Sequence, residues 1–244
     1  MITSKQNALI KEIRFLHSKK GRQEQSKYIV EGVKMVNEAF QLKQNVCAVV
    51  CTEKCLPSLV TNGFNVELVS EQVFESITDE KSPQGAIAVL VKPDLSPKKS
   101  LGSCLLLDGV SDPGNMGTII RTMACAGYKQ VYVTDDCVDP FSPKVVRSSM
   151  SGIFNVQICE CKREEAPSLI GLPLVVGDMN GQNLFSTRIN GDFCLVIGNE
   201  AHGVSPFIKE RANVTVSIPM QKGMESLNAG VSAGILMYAL KNQQ

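Results

Sequence analysis

The sequence predicts an α/β protein in two parts, a small mixed α/β part followed by a larger one built on a parallel sheet. Three observations predict it. After residue 100, near-continuous apolar runs recur with room for a helix between them, the rhythm of strands buried on both faces. Polar or glycine-bearing turns follow those runs. Between the two parts lies KPDLSPKKS at 92–100, with two Pro, three Lys and little apolar content, which reads as a linker. The expected partition is 1–92, a linker at 93–101, and 102–244.

In the first part, Leu9, Ile10, Ile13 and Leu16 fall on one side of a helix. A short strand at 28–31 precedes a second helix with Val33, Val36 and Phe40 on one face. Further strands are expected at 46–51, 66–69 and 86–91, with Asn62-Gly63 marking a turn. In the second part, strands are expected at 104–107, 131–134, 174–176, 194–197 and 214–218. The turns after them are Asp108-Gly109, Asp135-Asp136, Gly177-Asp178, Gly198-Asn199-Glu200 and Pro219-Met220-Gln221. Ligands of open parallel sheets bind beyond the carboxyl ends of the strands, so these turns are expected to share one crevice.

Composition excludes several classes. With 244 residues, 43% apolar and 20% charged, the chain is neither disordered nor fibrous. No apolar run approaches the roughly 20 residues of a spanning helix. The start, MITSKQNALIKEIRF, lacks the apolar core of a signal peptide. Nine Cys are scattered without any CxxC, and only two His occur, His17 and His202. The cysteines therefore read as reduced small hydrophobes, no metal site is expected, and the expected compartment is the cytoplasm. The net charge of +1 conceals an asymmetry: residues 1–43 hold nine Lys/Arg and four Asp/Glu, an excess of +5. Lys5, Lys11, Arg14, Lys19, Lys20, Arg22 and Lys27 form this cluster, which suits either phosphate neutralisation or a solvated helix face.

Three segments carry possible chemistry. In LLLDGVSDPGNMGTIIRTMACAGY (105–128), a buried strand runs into a Gly/Pro-rich turn and then a helix closed by Gly127. Its glycine spacing fits neither GxGxxG nor a P-loop, which disfavours a nicotinamide-dependent oxidoreductase. In LVIGNEAHGVS (195–205), Glu200 and His202 are capable of acid–base work, or of capping a helix and facing solvent. In VSIPMQKGMESLNAGVSAGILMYAL (216–240), an apolar helix expected to begin at Ser226 places Gly230 and Gly234 one turn apart. Mid-helix glycine costs about 1 kcal/mol against Ala, so a close backbone approach is expected there.

In this order, DPGNMGTIIRTMACAG, IGNEAHGVS and IPMQKGMESLNAGVSAGI resemble the three motifs of the SpoU (TrmH) family of RNA ribose methyltransferases, in the SPOUT superfamily. The basic front part, with YIVEG at 28–32, looks like the ribosomal-protein-type RNA-binding domain often placed before that catalytic domain. The resemblance implies a SPOUT-type parallel-sheet domain with a C-terminal trefoil knot, S-adenosylmethionine as cofactor, no metal, and a homodimer. Carried over by motif position, Gly198, Ile218, Met220 and Leu227 would contact the cofactor, and Asn115, Arg121, Glu200, Ser226 and Asn228 would form the catalytic set. Lys19, Lys20, Arg22 and Lys27 would meet RNA.

The implied reaction is methyl transfer to a ribose 2′-hydroxyl, with ribosomal RNA preferred because of the front domain. Transfer RNA, or a non-catalytic RNA-binding role in ribosome assembly, are the alternatives. Arg121 is expected to position the ribose and its phosphate through a planar, permanently charged guanidinium, with Glu200 and Asn228 holding the neighbouring loops.

Overall fold

The computed structural model describes residues 1–221, 223 and 226–241. The first elements in chain order are α1 (Ala8–Leu16), α2 (Lys19–Gln25), β1 (Lys27–Glu31), α3 (Val33–Gln41), β2 (Val46–Cys51), β3 (Glu67–Leu68), α4 (Glu71–Phe74) and β4 (Ala86–Val91). There follow β5 (Cys104–Asp108), α5 (Pro113–Ala126), β6 (Gln130–Thr134), α6 (Pro143–Ser149), α7 (Gly152–Asn155), β7 (Gln157–Cys161) and α8 (Ala166–Ile170). The last are β8 (Leu174–Asn183), β9 (Cys194–Gly198), α9 (Pro206–Lys209), β10 (Val214–Ser217) and α10 (Ala229–Lys241).

The chain forms two compact units. One comprises Met1–Pro93 together with Asp139–Phe154; the other comprises Asp94–Val138 and the described residues from Asn155 onward. The sequence partition places 139–154 with the later part, whereas these residues cluster with the first.

In the first unit, a four-stranded sheet has the order β1-β4-β2-β3. β4 runs antiparallel to both β1 and β2, while β3 lies parallel to β2. The apolar side expected of α1 is realised: Asn7 caps the helix by accepting the Leu9 N–H at 2.9 Å, and Ile10, Ile13 and Leu16 are buried. They pack with Ile29, Val50, Phe74, Ile87 and Val89 into one core. In α3 the inward face is shifted from expectation, with Met35, Val36 and Ala39 buried. Val33 and Phe40 sit half-buried at its margin, where the Phe40 ring lies 5.4 Å from that of Phe64.

Two of the four expected RNA-binding cations require correction here. Arg22 is only 3% exposed, because its guanidinium is engaged on all sides. Nη2 and Nε lie 2.7 and 2.8 Å from the Asp139 carboxylate, and Nη1 donates to the Leu16 and His17 carbonyls at 2.8 Å each. Lys27 is half-buried and paired with Glu12 at 2.6 Å, a contact whose hydrogen bond raises its pKa against the opposing effect of burial. Lys19 and Lys20 are exposed. The basic cluster of the sequence thus divides into structural and solvent-facing cations.

The Arg22–Asp139 pair joins α2 to a segment more than a hundred residues later, and beside it the Phe141 ring meets Tyr28 edge-on at 4.8 Å. Removing one partner of a buried ion pair strands the other charge, which costs about 3–5 kcal/mol. Asp139→Ala should therefore destabilise the protein by about 3 kcal/mol in urea unfolding, and the double variant Arg22→Met/Asp139→Leu should recover most of that. A loss below about 1 kcal/mol for Asp139→Ala would show that the pair is not structurally important.

The second unit contains six strands in the order β10-β8-β9-β5-β6-β7, and every adjacent pair is parallel. The apolar runs are buried as expected; Leu105, Leu106, Leu107, Leu195 and Val196 have no exposed surface. Strand β7, QICEC, is an addition to the strands expected from the sequence. It forms the sheet edge with Ile158, Cys159 and Cys161 buried and Glu160 exposed. The linker is pinned: Leu95 is buried, and the Lys98 carbonyl accepts from Tyr132 Oη at 2.6 Å.

The chain leaves β5 toward β6 and β7 and later returns on the other side to place β9 beside β5. Asp108 and Gly198 are consequently register partners at the ends of adjacent strands. β8 departs from a simple strand. Its pairing with β10 jumps from Val176↔Thr215 to Gln182↔Val216, so residues 177–181 leave the ladder as a bulge.

Helix α10 begins at Ala229, not at Ser226, because Asn228 caps it; its Oδ1 accepts the Val231 N–H at 3.2 Å. The small-residue face of α10 lies against α5 of the same chain. A Cβ on Gly230 would stand 3.1 Å from Thr118 Cγ2, and one on Gly234 would stand 3.6 Å from Thr122 Cγ2. The close approach expected from these glycines is thus intramolecular at Gly230, while Gly234 stands at ordinary van der Waals distance from α5.

Candidate active site

Parallel pairing of β5 and β9 sends two loops out side by side, and one carboxylate ties them together. Glu200 Oε2 accepts from the Ser111 N–H at 3.1 Å and from Ser111 Oγ at 2.9 Å. Its Oε1 accepts from the Asp112 N–H at 3.1 Å and from Asn115 Nδ2 at 2.9 Å. Asn115 Oδ1 in turn accepts from Asn228 Nδ2 at 2.8 Å. Three segments distant in sequence are thereby joined in one chain of hydrogen bonds.

Local structure fixes each member. Asp112 caps α5 through the Asn115 N–H at 2.8 Å, with Pro113 at the first helical position, so Asn115 lies in the first turn of the helix and is buried. Asn199 closes its own loop by accepting the Ala201 and His202 N–H groups at 2.9 and 3.1 Å, and its Nδ2 donates to the Gly109 carbonyl at 2.8 Å. Gly198 is required here, because a Cβ would lie 2.2 Å from the Gly203 carbonyl carbon. Beneath the loops, buried Asp108 accepts from the Ser205 N–H at 2.7 Å and from Arg163 Nε at 2.5 Å.

Burial pushes the Glu200 carboxyl up, but the hydrogen bonds from Asn115 and from the Ser111 and Asp112 backbone outweigh it and hold its pKa down to about 2. A carboxylate so acidic is a poor proton acceptor at neutral pH. Of the two sequence readings of Glu200, the structure therefore favours the anchor over the acid–base group.

The loops surround a cavity of about 760 Å³ at the carboxyl ends of β8, β9 and β10. Eight of the nine expected catalytic and cofactor residues line it: Asn115, Glu200, Ser226, Asn228, Gly198, Ile218, Met220 and Leu227. Arg121 is the exception. At about 3.6 residues per turn, six positions carry it roughly a third of a turn around α5 from Asn115. Its side chain is exposed and is absent from the described cavity wall. The wall also holds His202, Asn180 and an ion pair, Asp178 in the β8 bulge with Lys209 at 2.6 Å. Gly177-Asp178 was legible as a turn after a strand; nothing in the sequence marked Lys209 as its partner.

Comparison with known proteins shows the family. The profile of the SpoU rRNA Methylase family matches residues 102–238, and that of the MRM3-like substrate binding domain matches residues 7–88. The chain belongs to the SpoU rRNA methylase family. The fold and the site define an S-adenosylmethionine-dependent RNA methyltransferase. The 23S rRNA (guanosine(2553)-2′-O)-methyltransferase RlmP of Bacillus subtilis is 30% identical over 248 residues, 98% of each chain. The human mitochondrial rRNA methyltransferase 3 is 26% identical over 289 residues, 91% of this chain and 69% of that protein. Among solved structures, a TrmH-family RNA methyltransferase from Porphyromonas gingivalis superposes with a TM-score of 0.85 at 31% identity, covering all of both chains. The AdoMet-bound rRNA methyltransferase from Sinorhizobium meliloti gives 0.85 at 28% identity, covering 98% of this chain and 95% of that one.

The cavity fits the cofactor. Its volume falls within the roughly 300–1,000 Å³ of small-molecule sites. Ile197, Val216, Ile218 and Leu236 offer apolar walls for a purine, and the Asp178–Lys209 pair and Asn180 offer polar contacts.

Two outcomes follow from the Glu200 network. With a folded pKa below the ordinary 4.5, the stabilisation it gives is complete above about pH 4.5 and lost as pH falls through about 2. Carbon-13 NMR titration of the Glu200 carboxyl should give that acidic midpoint, and a midpoint above 4.5 would contradict the network. Asn115→Ala removes a donor to Glu200 and the acceptor of Asn228. It should weaken cofactor binding by about five- to tenfold in calorimetry, the effect of about 1 kcal/mol of lost hydrogen bonding. Wild-type affinity in that variant would detach the network from the cavity.

Proposed function

We propose that this enzyme methylates a ribose 2′-hydroxyl in ribosomal RNA, as a homodimer. The observation that carries the reading is the cavity closed by Asn115, Glu200 and Asn228, in a chain that also matches a substrate-binding domain before the catalytic one. Relatives across most of its length are named as ribosomal RNA methyltransferases, and the Bacillus one as acting at a ribose 2′-oxygen.

The cofactor, when bound, supplies an already activated methyl group. Gly198, Ile218, Met220 and Leu227 would hold it, and Ser226 and Asn228 would orient the reacting ribose beside it. Asn115 and Glu200 keep those loops in place, so alignment rather than proton abstraction is their contribution. Arg121 would bind the ribose and its phosphate through its planar fork. Its position away from the cavity of its own chain supports a dimer in which Arg121 reaches a partner's site. Half-exposed Val231 and Tyr238 on α10 provide apolar surface for that contact. The position of β10 at the sheet edge, with α10 turned back against α5 and β9, supports the C-terminal knot. Nine cysteines, all as thiols, suit the reducing cytoplasm. Lys19 and Lys20 would contribute phosphate contacts.

The decisive experiment maps 2′-O-methyl groups across total RNA with and without the gene. Loss of a methyl from ribosomal RNA is expected, and an unchanged ribosomal map would overturn the reading. Arg121→Ala should lower single-turnover methylation about a hundredfold, with cofactor affinity unchanged, as when one electrostatic group is removed from an active site. Near-wild-type turnover would remove Arg121 from the mechanism, and a monomer at micromolar concentration by light scattering would remove the dimer.

A further inference from the structure

We infer that Phe15 is a stacking platform for an unpaired base of the RNA, at the edge of the first unit's basic face; this rests on the reading of the protein as an RNA enzyme. Every other described aromatic ring of that unit is buried or half-buried, whereas Phe15, at the end of α1, is 36% exposed. The α1 helix has already placed Ile10, Ile13 and Leu16 in the core, so the outward position of Phe15 is not a packing requirement of the helix.

Its surroundings carry charge suited to RNA. Lys11 lies one turn earlier on the same side of α1, Arg14 is adjacent, and Lys19 and Lys20 open α2; all four are exposed. Lys20 has Glu24 at 3.6 Å, an exposed pair that leaves its charge available to a phosphate. An aromatic face set among cations is the arrangement by which proteins hold single-stranded nucleic acid: cations follow the backbone and the ring takes a base.

The backbone that carries the ring is also held in place. The Phe15 carbonyl accepts from the Ser18 N–H at 3.0 Å and from Ser18 Oγ at 2.8 Å, and the same Oγ accepts the Gly21 N–H at 3.0 Å. A Cβ on Gly21 would stand 2.1 Å from the Phe15 carbonyl oxygen and 3.0 Å from its Cγ, so the bare glycine lets α2 lie directly against the end of α1. With the backbone fixed, only the two side-chain torsions of Phe15 lose freedom when a base settles on it.

The test uses the full-length protein, a 12-nucleotide oligoadenylate RNA with one 2-aminopurine, and a 12-base-pair RNA duplex. Wild type should bind the single strand and quench the probe. Phe15→Ala and Phe15→Leu should each weaken single-strand binding about tenfold and reduce quenching, with duplex affinity and the salt slope unchanged. Phe15→Trp should restore both. Lys19→Ala/Lys20→Ala should instead weaken both RNAs and flatten the salt slope. Retained binding and quenching in Phe15→Leu, or equal losses on both RNAs, would overturn the stacking role alone. A wild-type protein that binds neither RNA would overturn the RNA-enzyme reading along with it. Conversion of a wild-type dimer to a monomer by Phe15→Ala would assign the ring to a second copy of the chain instead.

Discussion

The second unit depends on one carboxylate. Glu200 gathers four hydrogen-bond donors from the loop after β5 and the first turn of α5, and through Asn115 it reaches the cap of α10. The loops after β5 and β9 are polar where they meet, so hydrogen bonds to this carboxylate join them. A charged acceptor makes stronger hydrogen bonds than a neutral one, which is why an acid serves at this junction. The same bonds make it a weak base. Its chemistry is therefore that of a brace, and reactivity must come from the cofactor and from alignment.

A second charge governs the first unit. Buried Arg22 draws Asp139 to α2, and with it a segment that the chain reaches only after β6. Its hydrogen bonds to the Leu16 and His17 carbonyls also satisfy groups left over where α1 ends. A cation used this way is unavailable to a ligand. The exposed lysines beside it carry the recognisable charge, and the distinction between the two kinds is set by burial and pairing.

The bulge in β8 and the offset of Arg121 express a common constraint. A parallel sheet buries both faces of its strands, so polar chemistry has to be gathered at strand ends and in breaks of the ladder. Residues 177–181 leave the ladder and bring Asp178 and Asn180 to the cavity, while Gly181 lets the strands close again: a Cβ there would lie 2.6 Å from Val216 N. Arg121 sits on α5, whose inner face is occupied by Ile119, Ile120 and Met123, and its side chain therefore turns outward.

The resemblance of three motifs to a known family pointed to eight residues of the cavity wall, while the sequence by itself determined five of the six strands after residue 100 and the turns at their ends. Those features are local: an apolar run, a proline or a capping residue acts within a few positions. It also determined the glycines of α10, though not what they approach. The edge strand β7 escaped because Gln157 and Glu160 interrupt its apolar character, and the start of α10 was misplaced because its cap, Asn228, lies two residues after Ser226. Only the tertiary structure decided that Arg22 is buried, that Lys27 faces Glu12, that Asp178 faces Lys209, and that Arg121 stands off the cavity. Each of these depends on which distant segment folds back against the residue, and burial or pairing of a charge is a property of that meeting rather than of the residue type.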